Sequence, residues 1–234
     1  HLALCLTPQQ LGVACRCVPT FLTRREGYMA ESRPVQSRNK KQALGNIVVE
    51  KAFDLGEEEE VIHRQLGFRP TNVHSIAARA MTGEPTVLRL YPLAVSLKGA
   101  RARNAERQPF PTMYWLSCPS LKAAVSQLEN QGLILEWERR LQADPAIMAD
   151  MEAAHKSYAE ERWSLLSAED VDTIKRQGWE KSFSNGVAGI VQPRHIKCLH
   201  THFAHFLATG RNVVGKWTQE ALDAGKHLPV AEDG

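Results

Sequence analysis

The chain has 234 residues, enough for one domain or a domain with a tail, and 43% hydrophobic against 24% charged residues supplies apolar area for a core. Arg, Lys or Glu interrupts every long apolar stretch, so no window reaches the roughly 18–20 unbroken apolar residues of a membrane helix, and a membrane-spanning helical class is excluded. The net charge of +3 is small but unevenly placed: residues 1–49 carry seven Arg and Lys against Glu26 and Glu31, and the remainder carries 22 basic against 24 acidic residues.

Residues 1–45 lack sustained periodicity and read as a basic tail, with residues 46–234 as a single globular domain. An acid-poor, Arg-bearing stretch with Ser and Thr has the composition of a mitochondrial or plastid transit peptide. A disordered tail, or sequence lying ahead of a start at Met29, also fits. A short β-like run at Ile47–Val49 precedes the acidic block Glu57–Glu60, which opens a helix through Val61, Ile62 and Leu66 that stops at Gly67. Strands are expected at Thr86–Tyr91 and Thr112–Leu116, bounded by Gly83, Pro85, Pro92, Pro109 and Pro111, with a third at Ser75–Met81. Between them, Lys98–Gln108 reads as an exposed basic loop.

After Cys118 the pattern is helical. Pro119 suits a first helical position, with Leu121, Ala124, Val125 and Leu128 on one face. Gly132 ends or bends that helix, and Leu133–Leu141 continues it. Asp144-Pro145 starts a long helix to about Leu166, and Ser167–Asp170 resembles a capping box. Gly178–Pro193 reads as a loop, Arg194–Ala208 as a last strong helix, and Lys216–Ala224 as a small closing one. The inferred fold class is α+β: a small antiparallel sheet in the middle of the chain packed by a helical C-terminal half.

Three stretches carry a family pattern: Pro109–Pro119 (PFPTMYWLSCP), Ala154–Arg162 (AHKSYAEER), and Ile196–His200 (IKCLH) followed by His205 and Asn212–Gly215. Together they resemble the largely bacterial family called domain of unknown function 501, over about residues 62–222. The resemblance implies no established activity. Its pattern carries Cys198, His200 and His205 but not His202. It also commonly has a cysteine ahead of the first strand where this chain has Ala80, so a site using that thiol is incomplete here.

Five cysteines, at 5, 15, 17, 118 and 198, are odd in number with three in the tail. A disulfide framework is not expected, and a reducing compartment fits: the cytoplasm, or an organelle if the tail is a transit peptide. On a helix running through Arg194–Ala208, Cys198, His202 and His205 share one side at i, i+4 and i+7, a spacing able to bind zinc, while His200 lies on the far side. The bland reading is a half-buried helix with histidines on its polar edge. Cys118 sits at a helix start, where the dipole favours the ionised form of a thiol for metal binding or nucleophilic attack; it equally suits a small core residue. If Cys118 meets Cys198 and His205, the set is a zinc-like centre with an open position. His155, Tyr158 and Arg162 share the core side of the long helix and are candidate catalytic residues in a pocket for a small anion. Cys118, Lys197, His200 and Arg162 are candidate ligand-binding residues. The alternative function is a non-catalytic interaction module using the basic loop and tail on RNA or phosphate. That loop lacks interleaved aromatics and reads mainly as a solvated loop.

Overall fold

β-Branched and aromatic residues broken by proline and glycine build the sheet, and 3.6-residue periodicity builds what covers it. A computed structural model of the chain describes residues 41–44, 47–50, 55–95 and 107–226. A hairpin of β1 (Lys41–Leu44) and β2 (Ile47–Glu50) opens the described chain, so strand pairing begins inside the stretch read as tail. Residues 1–40 lie outside the described residues, as does most of the basic loop at 98–106.

Helix α1 (Glu58–Leu66) begins on the acidic block and stops at Gly67 in the left-handed conformation. The central sheet has the order β3 (Val73–Arg79), β4 (Pro85–Leu90), β7 (Tyr114–Leu116), antiparallel throughout. Its middle strand β4 is buried at five of six positions. A second pair, β5 (Leu93–Val95) with β6 (Arg107–Pro109), was not anticipated; it places Arg107 and Gln108 in a strand rather than the loop.

The C-terminal half is helical: α2 (Pro119–Asn130), α3 (Leu133–Ala143), α4 (Pro145–Ser164), α5 (Ala168–Gln177), α6 (Glu180–Phe183), α7 (Leu199–Thr209) and α8 (Val213–Asp223). The caps work as the sequence suggests, with the Asp144 carboxylate accepting from the Ala146 and Ile147 amides and the Ser167 hydroxyl from Asp170. The stretch 178–193 is not all loop, since it holds α6 and a 3-10 turn at Val187–Gly189.

The largest correction concerns the last strong helix, which starts at Leu199, five residues later than expected. Cys198 is its N-cap, with extended backbone (φ −165°, ψ 126°). The upstream amides find acceptors elsewhere: the Ile196 N–H donates to the Glu138 carboxylate at 2.8 Å. A chain satisfied by side chains from other helices has no need to coil there.

One core joins α2, α3, α4, α7 and α8 to the inner face of the sheet, around Leu121, Val125, Trp137, Met151, Phe203 and Trp217. Helices α7 and α8 pack so closely that a Cβ on Gly215 would lie 2.4 Å from both the His202 carbonyl oxygen and the Phe206 Cβ. Gly215→Ala should therefore cost about 1–3 kcal/mol through forced separation of the two helices. Urea unfolding reads this, and an unchanged midpoint would contradict the packing described.

Candidate metal centre

Helix α2 presents Lys122, Ser126 and Glu129 at i, i+4 and i+7, one stripe beside its apolar face, and the start of α7 is laid across that stripe. The Glu129 Oε1 accepts the Leu199 backbone N–H at 2.7 Å. A carboxylate from another helix thus caps α7, whose own N-cap side chain makes no capping bond. The same Oε1 is 3.1 Å from His200 Nδ1, which is 3.5 Å from Cys198 Sγ. Glu129, Cys198 and His200 form the one group of three such ligands found among the described residues, with ligand atoms all within 4.8 Å of one another. All three are half-buried, which leaves a side open to solvent.

The far nitrogen of His200 is also engaged. Its Nε2 lies 3.1 Å from the Lys122 carbonyl oxygen and 3.3 Å from Ser126 Oγ. A carbonyl only accepts, so Nε2 carries a proton and Nδ1 is the atom turned to Glu129 and Cys198. Burial pushes the His200 pKa down, but Cys198, Glu129 and the Lys122 carbonyl together outweigh it and raise the value to about 9. With these neighbours His200 is an imidazolium at neutral pH.

Cys118 stands apart from this group. It is separated from Glu129 by eleven residues of α2, about 16 Å along the axis. It is buried in the main core, with Sγ 3.2 Å from Ser120 Oγ. The expected meeting of Cys118 with Cys198 and His205 is not found among the described residues: the one three-ligand group contains neither Cys118 nor His205. Lys197 reaches the Ala188 carbonyl oxygen at 3.4 Å and is not among the three clustered groups. Glu129 was missed in the sequence: nothing in its local pattern separates it from any acid on a helix edge.

His202 and His205 face the interior, away from Cys198, because the helical phase that aligned them with the thiol does not extend upstream of Leu199. Asn212 Nδ2 donates to His202 Nδ1 at 3.0 Å and to His205 Nδ1 at 3.2 Å, while its Oδ1 accepts the Gly215 N–H at 3.0 Å. The His205 ring stacks on Tyr114 at 5.6 Å and meets Tyr158 edge-on at 5.3 Å. His155, on α4, accepts the Val187 N–H at Nδ1 (3.0 Å), and its ring lies perpendicular to His202 at 5.9 Å. The Nε2 atom of His202 is buried without a hydrogen-bond partner.

The expected stripe of His155, Tyr158 and Arg162 is buried on one side of α4, yet all three members serve backbone groups. The Tyr158 hydroxyl accepts from the Met113 N–H at 2.5 Å and donates to the Pro111 carbonyl at 3.2 Å, and burial raises its pKa to about 12. Arg162, wholly buried, donates to the carbonyls of Ser182, Pro111 and Asn185 and lies over the Phe183 ring at 4.8 Å. These contacts fasten the β6–β7 connection and the end of α6 to α4. The guanidinium's fork is thereby engaged with carbonyls rather than turned to an anion.

Residues 76–220, more than half of the chain, match the family model described as Protein of unknown function (DUF501). No curated protein and no solved structure matches the chain.

The three interior histidines fix a pH response. Burial holds His155 and His205 down at about 4, and burial with the neighbouring His155 holds His202 at about 3. Folded values lie below the ordinary 6.5, so the unfolded chain takes up protons first as pH falls. Stability should be full above about pH 6.5 and should drop toward pH 4, by about 1 kcal/mol per pH unit for each histidine. His200, with its raised value, works in the opposite sense: its contribution is full below about pH 6.5 and is lost as pH rises from there through about 9. Urea unfolding at pH 7, 6 and 5 measures the acid limb; a flat profile would contradict the neutral buried cluster.

Proposed function

The chain belongs to DUF501, a family of unknown function, and on that footing we propose that it is a metal-binding protein. Glu129, Cys198 and His200 hold a zinc-type divalent ion, and one coordination position is left for water or a small ligand.

The observation that carries this reading is the shape of the ligand set. Zinc–ligand bonds of about 2.3 Å to sulfur and 2.0–2.1 Å to nitrogen and oxygen, at tetrahedral angles, give edges of about 3.6 Å for S···N and 3.4 Å for N···O. The corresponding separations are 3.5 Å and 3.1 Å, so these two edges match within a few tenths of an ångström, and the third pair, sulfur and carboxylate oxygen, lies within 4.8 Å. The Nε2 hydrogen bond to the Lys122 carbonyl supports it further. Metal-bound histidines commonly donate their other N–H to such an oxygen, which fixes ring orientation and makes the ligating nitrogen more basic.

Three protein ligands with a fourth position facing solvent characterise reactive rather than closed structural zinc. Such an ion polarises a carbonyl or phosphoryl oxygen, or activates water. A small anion would enter as the fourth ligand, which replaces the Arg162-centred pocket as the way an anionic ligand binds here.

The same atoms favour a second reading because His200 is held protonated beside Cys198. A thiol next to an imidazolium, with the ring oriented by a third group, is the arrangement of a nucleophilic cysteine.

Elemental analysis of protein purified in reductant separates the two. The metal reading expects about one zinc or iron per chain in wild type and Cys118→Ser, and almost none in Cys198→Ala or His200→Ala. Metal-free wild type with rapid iodoacetamide labelling of Cys198 would contradict it in favour of the thiol. Metal retained by Cys198→Ala would overturn the ligand assignment.

A further inference from the structure

A second concavity, sharing no residue with Glu129, Cys198 and His200, lies between α4, α6 and the segment 186–193. Its volume is about 720 Å³, within the range of small-ligand sites. Trp163, Phe183, Ile190 and Pro193 give it apolar walls. Its polar members are uneven in sign: Glu152, Glu160 and Glu180 against Lys156 alone. Lys156 is itself 3.9 Å from Glu160, a contact along one turn of α4.

His155 lies at the wall, 6% exposed, and its Nδ1 is taken by the Val187 N–H. Its position leaves no room behind it: a Cβ on Gly186 would come 2.1 Å from Nδ1. The ring is therefore fixed and contributes an uncharged surface, with its Nε2 proton turned toward the Pro193 backbone. Arg162 is not in the lining and is engaged with the carbonyls of Ser182 and Asn185. Three carboxylates against the one ammonium of Lys156, itself beside Glu160, make the lining net acidic and disfavour an anion.

We infer that this cavity binds a small cationic ligand with an aromatic or branched apolar body, an arylalkylamine in its simplest form. The apolar part lies against Trp163 and Phe183, and the ammonium group lies among the carboxylates of Glu152, Glu160 and Glu180. This pairing would be strongest at low salt, since the carboxylates of Glu152 and Glu180 are exposed.

NMR titration with three probes of matched size tests it: phenethylamine, phenethyl alcohol and 3-phenylpropionate, read at the Trp163 indole and His155 imidazole signals of the full chain. The amine should bind about threefold to tenfold tighter than the alcohol at low ionic strength, with the carboxylate weakest. Glu152→Gln combined with Glu180→Gln should bring amine and alcohol together. Ala159→Phe, at a half-buried position in the wall, should abolish binding of all three with an unchanged circular dichroism spectrum. Equal binding of the three probes, preference for the carboxylate, or no response at Trp163 and His155 would each overturn the inference. The double Gln variant changes only exposed positions, so it decides the charge claim even if Ala159→Phe fails to fold.

Discussion

Helix α7 begins on a carboxylate that belongs to α2, and much of the C-terminal half follows from that contact. Unpaired amides at a helix start need an acceptor, and a negative charge there also meets the positive end of the dipole. Cys198 supplies no cap, so Glu129 does, at 2.7 Å from the Leu199 nitrogen. One bond thereby fixes where the helix starts and which residue precedes it. It also sets the direction in which His200, one residue into the first turn, must point. The thiol, the imidazole and the carboxylate share one corner as a consequence of helix capping.

A different principle governs the interior. Polar groups brought into the core are joined to backbone or to each other: Tyr158 to Met113 and Pro111, Arg162 to three carbonyls, and Asn212 to two imidazoles and the Gly215 amide. Desolvation keeps His155, His202 and His205 neutral, whereas His200, at the half-buried corner, keeps its charge beside Glu129 and Cys198. Within α7, His200 thus has the opposite protonation at neutral pH from His202 and His205. The cause is which neighbour each side of α7 meets: α2 and solvent on one, β7, α4 and α8 on the other.

Much of the fold was legible because it depends on local signals. The acidic start and glycine stop of α1, Asp144-Pro145 ahead of α4, the β-branched strand β4 and the aromatic strand β7 all express preferences within a few residues. The family pattern around Cys198 and His200 also marked part of the site. The start of α7 was not legible, because the acceptors that hold residues 196–199 extended or just entering the helix come from Glu138 and Glu129, more than fifty residues away. Extending the helix to Arg194 put Cys198 in phase with His202 and His205 and turned attention from His200. Cys118 misled for a related reason: its helix-start position is real, but nothing local tells which residues of α2 the start of α7 will meet. Arg162 and Tyr158 were correctly read as inward-facing, yet the backbone groups waiting for them belong to loops that only the tertiary fold brings near.

The account depends most on sulfur, nitrogen and oxygen from α2 and α7 meeting at one ion. Zinc-edge X-ray absorption on the purified wild-type chain tests it directly. One sulfur scatterer at about 2.3 Å with nitrogen or oxygen neighbours near 2.0–2.1 Å, four in all, is the predicted shell. A shell of light atoms only, or one with two sulfurs, would contradict a centre built from Glu129, Cys198 and His200.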